Sequence, residues 1–141
     1  VVAATEEVFE YLKLRTPKGI NMVFSSEVKK KEIRLNKELY CWVIENLIKN
    51  SIDALKDKGT IQLQISDKAK QIEILVQDNG VGIPKKMHKK IFMPGVTTKK
   101  RGWGLGLSLS RRIIEEYHNG KIGLQKTGKK QGTCFKIELP A

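Results

Sequence analysis

Asn46, Asn50 and Asp53 recur at i, i+4 and i+7 within "ENLIKNSIDAL". On a helix turning about 100° per residue they form a stripe of their own. It is separate from the apolar arc of Ile44, Leu47, Ile48, Ile52 and Leu55 and from the charged arc of Glu45, Lys49 and Lys56. Amides are poor helix formers, so such a row has two readings. It bonds to solvent and neighbouring loops, or it aims oxygens and amides at a ligand or a hard cation.

Asp78 is a second candidate. Ile72, Ile74, Val76 and Asp78 share strand parity, which turns the carboxylate toward the side the apolar residues bury. A buried carboxylate needs hydrogen-bond donors. The "DNG" turn can supply them from its backbone, or a ligand amine such as that of adenine can. Gly80 and Gly82 would then let the backbone approach a flat ring closely. Thr133 repeats the pattern, sharing a face with Phe135, Ile137 and Leu139. Apolar walls with a few oriented polar groups are what an adenine-type pocket needs.

The third candidate is the stretch "TTKKRGWGLGLSLSRRI". Between Pro84 and Gly104 stand seven Lys or Arg residues and no Asp or Glu. Gly102, Gly104 and Gly106 follow at alternate positions and lead into an amphipathic helix pattern. Glycines before a helix start let backbone N–H groups approach phosphates, and the helix dipole favours negative charge there. The same residues also read as a solvated basic surface.

The elements that must position these groups follow from the patterning. Helical spacing runs over 5–15 and, capped by Asn36, over about 36–55. "INMVFSS" and "EIRL" read as short strands around a Lys-rich turn. "TIQLQIS" and "IEILVQD" alternate as strands joined by a hairpin. A short helix follows "DNGVGIP", a longer one covers roughly 105–118, and "NGKIGLQ" and "GTCFKIELP" close the chain as strands.

A chain of 141 residues with 40% apolar and 30% charged residues suits one globular α/β domain without internal repeats. The net charge of +12 favours anionic partners. Two cysteines outside any C-x-x-C pattern and two histidines argue against a zinc site. No apolar run reaches the roughly 20 residues of a membrane span.

At this point the motifs are similar to those of the GHKL ATP-binding superfamily, named for gyrase, Hsp90, histidine kinases and MutL. "ENLIKNSIDAL" resembles its N box, "DNGVGIP" its G1 box, "IFMPGVTTK" its F box and "GWGLGLSLSRRIIEEYHNGKI" its G2 box. "GTCFKIELP" is similar to the closing strand. The resemblance covers about 36–140 in the expected order, and the F box with "TTK" before "GLGL" points to histidine kinases.

The resemblance implies a Bergerat-type α/β (α+β) two-layer sandwich: a mixed, mainly antiparallel sheet covered on one face by helices. It also implies a lid at about 84–104. ATP and Mg²⁺ are the implied ligands, with Asn50 holding the metal. Asn46 occupies the place where gyrase-like members carry a water-activating glutamate. An amide cannot act as a general base, so transfer to another acceptor is favoured over hydrolysis. Asp53 would lie near the nucleotide. Asp78 would accept from the adenine amine, Gly80, Gly82 and Ile83 would line the base, and Thr133 would help directly or through water. Thr97, Thr98, Lys99 and Arg101 belong to the lid, whose charges can meet the phosphates. Gly102, Trp103, Gly104, Leu105, Gly106 and Leu107 form the phosphate-side hinge.

A histidine kinase needs a phosphoacceptor histidine, and neither His88 nor His118 lies in such a pattern. His118 reads as structural and His88 as an exposed lid residue. The start at Val1 agrees with a catalytic module cut from a longer cytoplasmic or membrane-anchored sensor kinase. The expected partners are the dimerisation/phosphoacceptor domain of the same kinase and a response regulator. Nucleic acid and membrane contact are not expected, and the isolated domain should be monomeric. The alternatives are a regulator of the anti-sigma-factor kinase type, a nucleotide-binding module without phosphotransfer, and a basic nucleic-acid-binding module.

Overall fold

A computed structural model describes residues 1–28, 33–55, 58–80, 82–83, 87–93, 106–128 and 132–141. Helix α1 spans Val2–Lys13, strand β1 Ile20–Ser26, helix α2 Lys37–Leu55, and strands β2 and β3 Gly59–Lys68 and Gln71–Asp78. Helix α3 spans Gly106–Arg112 and passes into a π-helical turn at Ile113–Tyr117; β4 (Lys121–Gly128) and β5 (Gly132–Pro140) follow. The strands form one sheet in the order β1-β2-β3-β5-β4. Among the described strands only β1–β2 is parallel; the other three pairs are antiparallel.

The alternation read from the sequence decides which face is covered. Ile61, Leu63 and Ile65 of β2 are buried, as are Ile72, Ile74 and Val76 of β3 and Phe135, Ile137 and Leu139 of β5. Against them packs the apolar arc of α2, where Ile44, Leu47, Ile48 and Leu55 are buried and Ile52 is partly so. Glu45 and Lys49 pair at 2.9 Å on the opposite, wet side. Burying a Leu or Ile side chain stabilises the fold by about 1.5–3 kcal/mol, so this one row anchors α2 on the sheet.

Helix ends are held by identifiable groups. Asn36 Oδ1 accepts from the Leu39 N–H at 3.1 Å, capping α2 as its residue type predicts. The Asn36 N–H donates to His118 Nε2 at 3.0 Å. His118 Nδ1 faces the Ile113 carbonyl at 3.0 Å; since Nε2 accepts, Nδ1 carries the proton and donates. His118 is therefore a buried brace between the start of α2 and the π turn. Asn119 at φ 54° and the Gly120 N–H bond to Ile114 O at 2.9 Å then turn the chain into β4.

The structure corrects several boundaries. Helix α1 begins at Val2 and ends at Lys13, earlier at both ends than the 5–15 expected; the Thr5 N–H donates to Val1 O at 3.0 Å, opening the helix there. Ile33–Leu35 of "EIRL" are not a strand: the backbone that follows is tied to His118, away from the sheet edge occupied by β1. The helix expected over 105–118 ends in a π-helical turn, and 87–92 is a turn held by Lys90 and Ile91 N–H bonds to Met87 O. His88 is half-buried, with Nε2 2.9 Å from Ile83 O, rather than simply exposed.

Candidate functional site

Asp78 ends β3 opposite Thr133 of β5. The two are 3% and 4% exposed, so the register puts two polar side chains at the end of an otherwise apolar layer. The turn reading of "DNG" holds for one oxygen: Gly80 N–H donates to Asp78 Oδ1 at 2.9 Å. Asn79 extends the β2–β3 pairing by accepting from the Thr60 N–H at 2.8 Å. Burial pushes the Asp78 carboxyl above the usual carboxylate range, while the Gly80 N–H, the Ser51 hydroxyl and the Thr133 backbone pull it partly back.

Glycines make the close approaches around this carboxylate. At Gly80 a Cβ would stand 2.9 Å from the Ala54 carbonyl of α2 and 3.0 Å from Asp78 Oδ1, so the turn lies directly on the helix. Gly132 has φ +69°, and a Cβ there would overlap the Asp78 carbonyl oxygen. Gly82 also adopts a positive φ, 76°, with Ile83 beside it partly buried.

The α2 stripe takes shape from the same packing. Asn46 is half-buried; its Nδ2 donates to Ser110 Oγ at 3.2 Å, and its Oδ1 lies against Gly106. Asn50, one turn later, is half-buried and Asp53 is exposed. Leu107 is partly buried against the core. Of the residues singled out in the sequence, Thr97, Thr98, Lys99, Arg101, Gly102, Trp103, Gly104 and Leu105 lie outside the described residues.

Sequence reasoning missed Ser51. It is 1% exposed, and its hydroxyl lies close enough to the Asp78 carboxylate to favour the charged form. Its signal was present: 47, 51 and 55 are spaced by four, which sets a hydroxyl in the middle of an apolar row. An open groove of about 430 Å³ lies elsewhere, between α2 and α3, lined by Leu39, Trp42, Leu109, Arg112, Ile113 and Tyr117. It offers neither the buried carboxylate nor the amides of the Asp78 site.

A buried carboxylate of this kind can accept from a ligand amine, and Asn46 of α2 stands beside the start of α3 at Gly106. Residues 36–141 match the family model of histidine kinase-, DNA gyrase B-, and HSP90-like ATPases. The chain belongs to this ATPase family.

Within this ATPase family it is similar to sporulation kinase A of Bacillus subtilis, 41% identical over 98 residues, which are 70% of this chain and 16% of that protein. Its fold is that of the catalytic domain of the histidine kinase ThkA, with TM-score 0.89, 30% identity, and coverage of 99% of this chain and 91% of that one. It also superposes on ThkA in complex with the response regulator protein TrrA, with TM-score 0.85 and 28% identity, covering 99% of this chain and 40% of that one. The chain thus spans about a sixth of the sporulation kinase. The expected α/β sandwich is the observed one. No described helix is long and apolar enough to cross a membrane.

Proposed function

We propose that this domain binds ATP with Mg²⁺ and presents the γ-phosphoryl group to a histidine on a separate dimerisation/phosphoacceptor domain of a sensor histidine kinase. The observation that carries the reading is Asp78, a carboxylate buried on the apolar face of the sheet and set opposite Thr133. A buried charge of this kind calls for hydrogen-bond donors, and an adenine amine can add to those the fold supplies, among them the Gly80 N–H. In this reading Gly80, Gly82 and Ile83 line the base and Thr133 assists.

Asn50 would hold Mg²⁺. Among the described residues there is no cluster of three or more His, Cys, Asp or Glu that could cage a metal. A single amide oxygen fits Mg²⁺ all the same, because that ion keeps several waters and takes substrate phosphates as ligands. When bound, it would neutralise phosphate charge. Asn46, tied to Ser110, would position the start of α3 under the phosphates rather than move a proton. Asp53 would lie at the outer margin. Thr97, Thr98, Lys99 and Arg101, with Gly102, Trp103, Gly104, Leu105, Gly106 and Leu107, would close the phosphate side.

The likeness to a ThkA structure that contains a response regulator supports a response regulator as the downstream partner. The test is calorimetric titration with ADP and ATP, with and without Mg²⁺, followed by labelled ATP in the presence of a histidine-bearing dimerisation domain. The expected result is nucleotide binding by this chain alone and acid-labile, base-stable phosphate only on the added domain. Such phosphate on this chain itself, or no nucleotide binding, contradicts the reading.

A further inference from the structure

The turn at 87–93 is tied down on several sides. His88 Nε2 lies 2.9 Å from the Ile83 carbonyl; a carbonyl only accepts, so Nε2 carries the proton and donates. The Phe92 ring meets Phe135 of β5 edge to face, with 6.2 Å between centroids and 87° between planes. Arg111 of α3 holds its guanidinium carbon 5.7 Å from the centre of the same Phe92 ring, within the range of a cation–π contact. Ile91, beside Phe92, is buried and roots the turn in the core.

Phe92 thereby links two regions that are otherwise apart in the chain. Phe135 stands two residues along β5 from Thr133, on the same face and opposite Val76 of β3. Arg111 follows Ser110, the residue that receives Asn46 and bonds back to Gly106. Glu115 steadies the guanidinium by accepting from Nε, at 3.3 and 3.2 Å to its two oxygens. Lysine would keep the charge but lose the planar face and the Nε–H bond to Glu115. The Arg111 side chain is half exposed, so its ring contact adds little to overall stability.

We propose that Arg111 is a positioning residue for the nucleotide: through Phe92 it fixes the spacing between the Ile83 and Thr133 side of the site and the Asn46 and Gly106 side. This rests on the nucleotide reading given above. A ligand that reaches both sides feels that spacing, because small misplacements of bound groups weaken every contact beyond them. A ligand confined to the first side does not feel it. ADP is of the first kind and adenosine of the second, so Arg111 acts on the difference between them.

The test titrates ADP by calorimetry and adenosine by chemical-shift changes into wild type, Arg111→Met, Arg111→Lys, Phe92→Leu and the Arg111→Met/Phe92→Leu double variant. Arg111→Met keeps an unbranched stem and should melt near wild type. It should bind ADP roughly three- to tenfold more weakly, the range of one cation–π contact, with adenosine affinity unchanged. Phe92→Leu, which alters no charge, should show the same selective loss, and the double variant should lose no more than the worse single one. Arg111→Lys should recover ADP binding only in part. Unchanged ADP affinity in Arg111→Met overturns the proposal, as do equal losses for ADP and adenosine or single losses that multiply independently. Full recovery in Arg111→Lys overturns it too, since charge alone would then account for the effect. A wild-type chain that binds no ADP overturns instead the nucleotide reading on which the proposal stands.

Discussion

Asn46 Nδ2 donates to Ser110 Oγ at 3.2 Å, and the Ser110 hydroxyl donates in turn to the Gly106 carbonyl at 2.7 Å. The middle of α2 is thereby joined to the first turns of α3, where the glycine-rich segment enters. A side-chain amide inside the candidate site serves first as a structural tie.

Gly106→Ala tests this tie, because a Cβ would stand 2.6 Å from Asn46 Oδ1. The amide must move or the helix start must shift. The expected outcome is weaker ADP binding, by about 1 kcal/mol or more, with a smaller change in melting temperature. Ser110→Ala, which leaves the half-buried Asn46 Nδ2 without this partner, should cost about 0.5–1.5 kcal/mol in a urea melt.

Asp78→Asn should weaken ADP binding by roughly 1–3 kcal/mol, read by calorimetry, because a charged acceptor becomes a neutral one. The pH dependence has a definite sign. Burial raises the folded-state pKa of Asp78 above that of the unfolded chain. Its ionisation therefore disfavours the native state: the penalty is absent below the unfolded value and develops as pH rises through the folded one. Without nucleotide, the Asn variant should be at least as stable as wild type at neutral pH. Wild-type ADP affinity should begin to fall on acidification while ordinary surface carboxylates are still charged. A flat affinity profile down to the usual carboxylate range contradicts this.

Gly132→Ala combines φ +69° with a Cβ placed onto the Asp78 carbonyl oxygen. The substitution should destabilise the domain by at least about 2 kcal/mol and reduce the soluble folded fraction, measured by circular dichroism. Gly123, whose Cβ would meet nothing within 4 Å, is the control: Gly123→Ala should be tolerated.

His118→Ala removes the acceptor of the Asn36 N–H and the donor to Ile113 O. The expected cost is about 1–3 kcal/mol of stability, with the α2 cap and the π turn losing hydrogen-exchange protection together. No labelled phosphate should be lost from any phosphotransfer assay beyond what that loss of folded protein explains.

The sheet and α2 were legible in the sequence because one physical rule governs each. Alternation marks which strand residues are buried, and the helical spacing of Ile44, Leu47, Ile48, Ile52 and Leu55 marks the packed face of α2. Asp78 was legible for the same reason: its parity contradicted its charge. The failures have local causes. "EIRL" has strand composition, but a long-range bond from Asn36 to His118 fixes the segment's path. The π turn follows from the tie of Ile113 and Ile114 carbonyls to His118 and Gly120, which no periodicity announces. Ser51 passed unnoticed because serine inside a helix is ordinarily self-satisfied.

The pairing of Asp78 with Thr133 has a consequence for how this domain is assembled. Strands β3 and β5 are central and come from distant parts of the chain. A one-residue slip between them would turn every side chain of the slipped strand to the other face. The Asp78 carboxylate and Thr133 would then no longer look into the same space. A nucleotide spanning both residues would bind only chains with the correct pairing. Added during refolding, it would act as a proofreader, withdrawing correctly paired molecules from the misaligned pool by mass action.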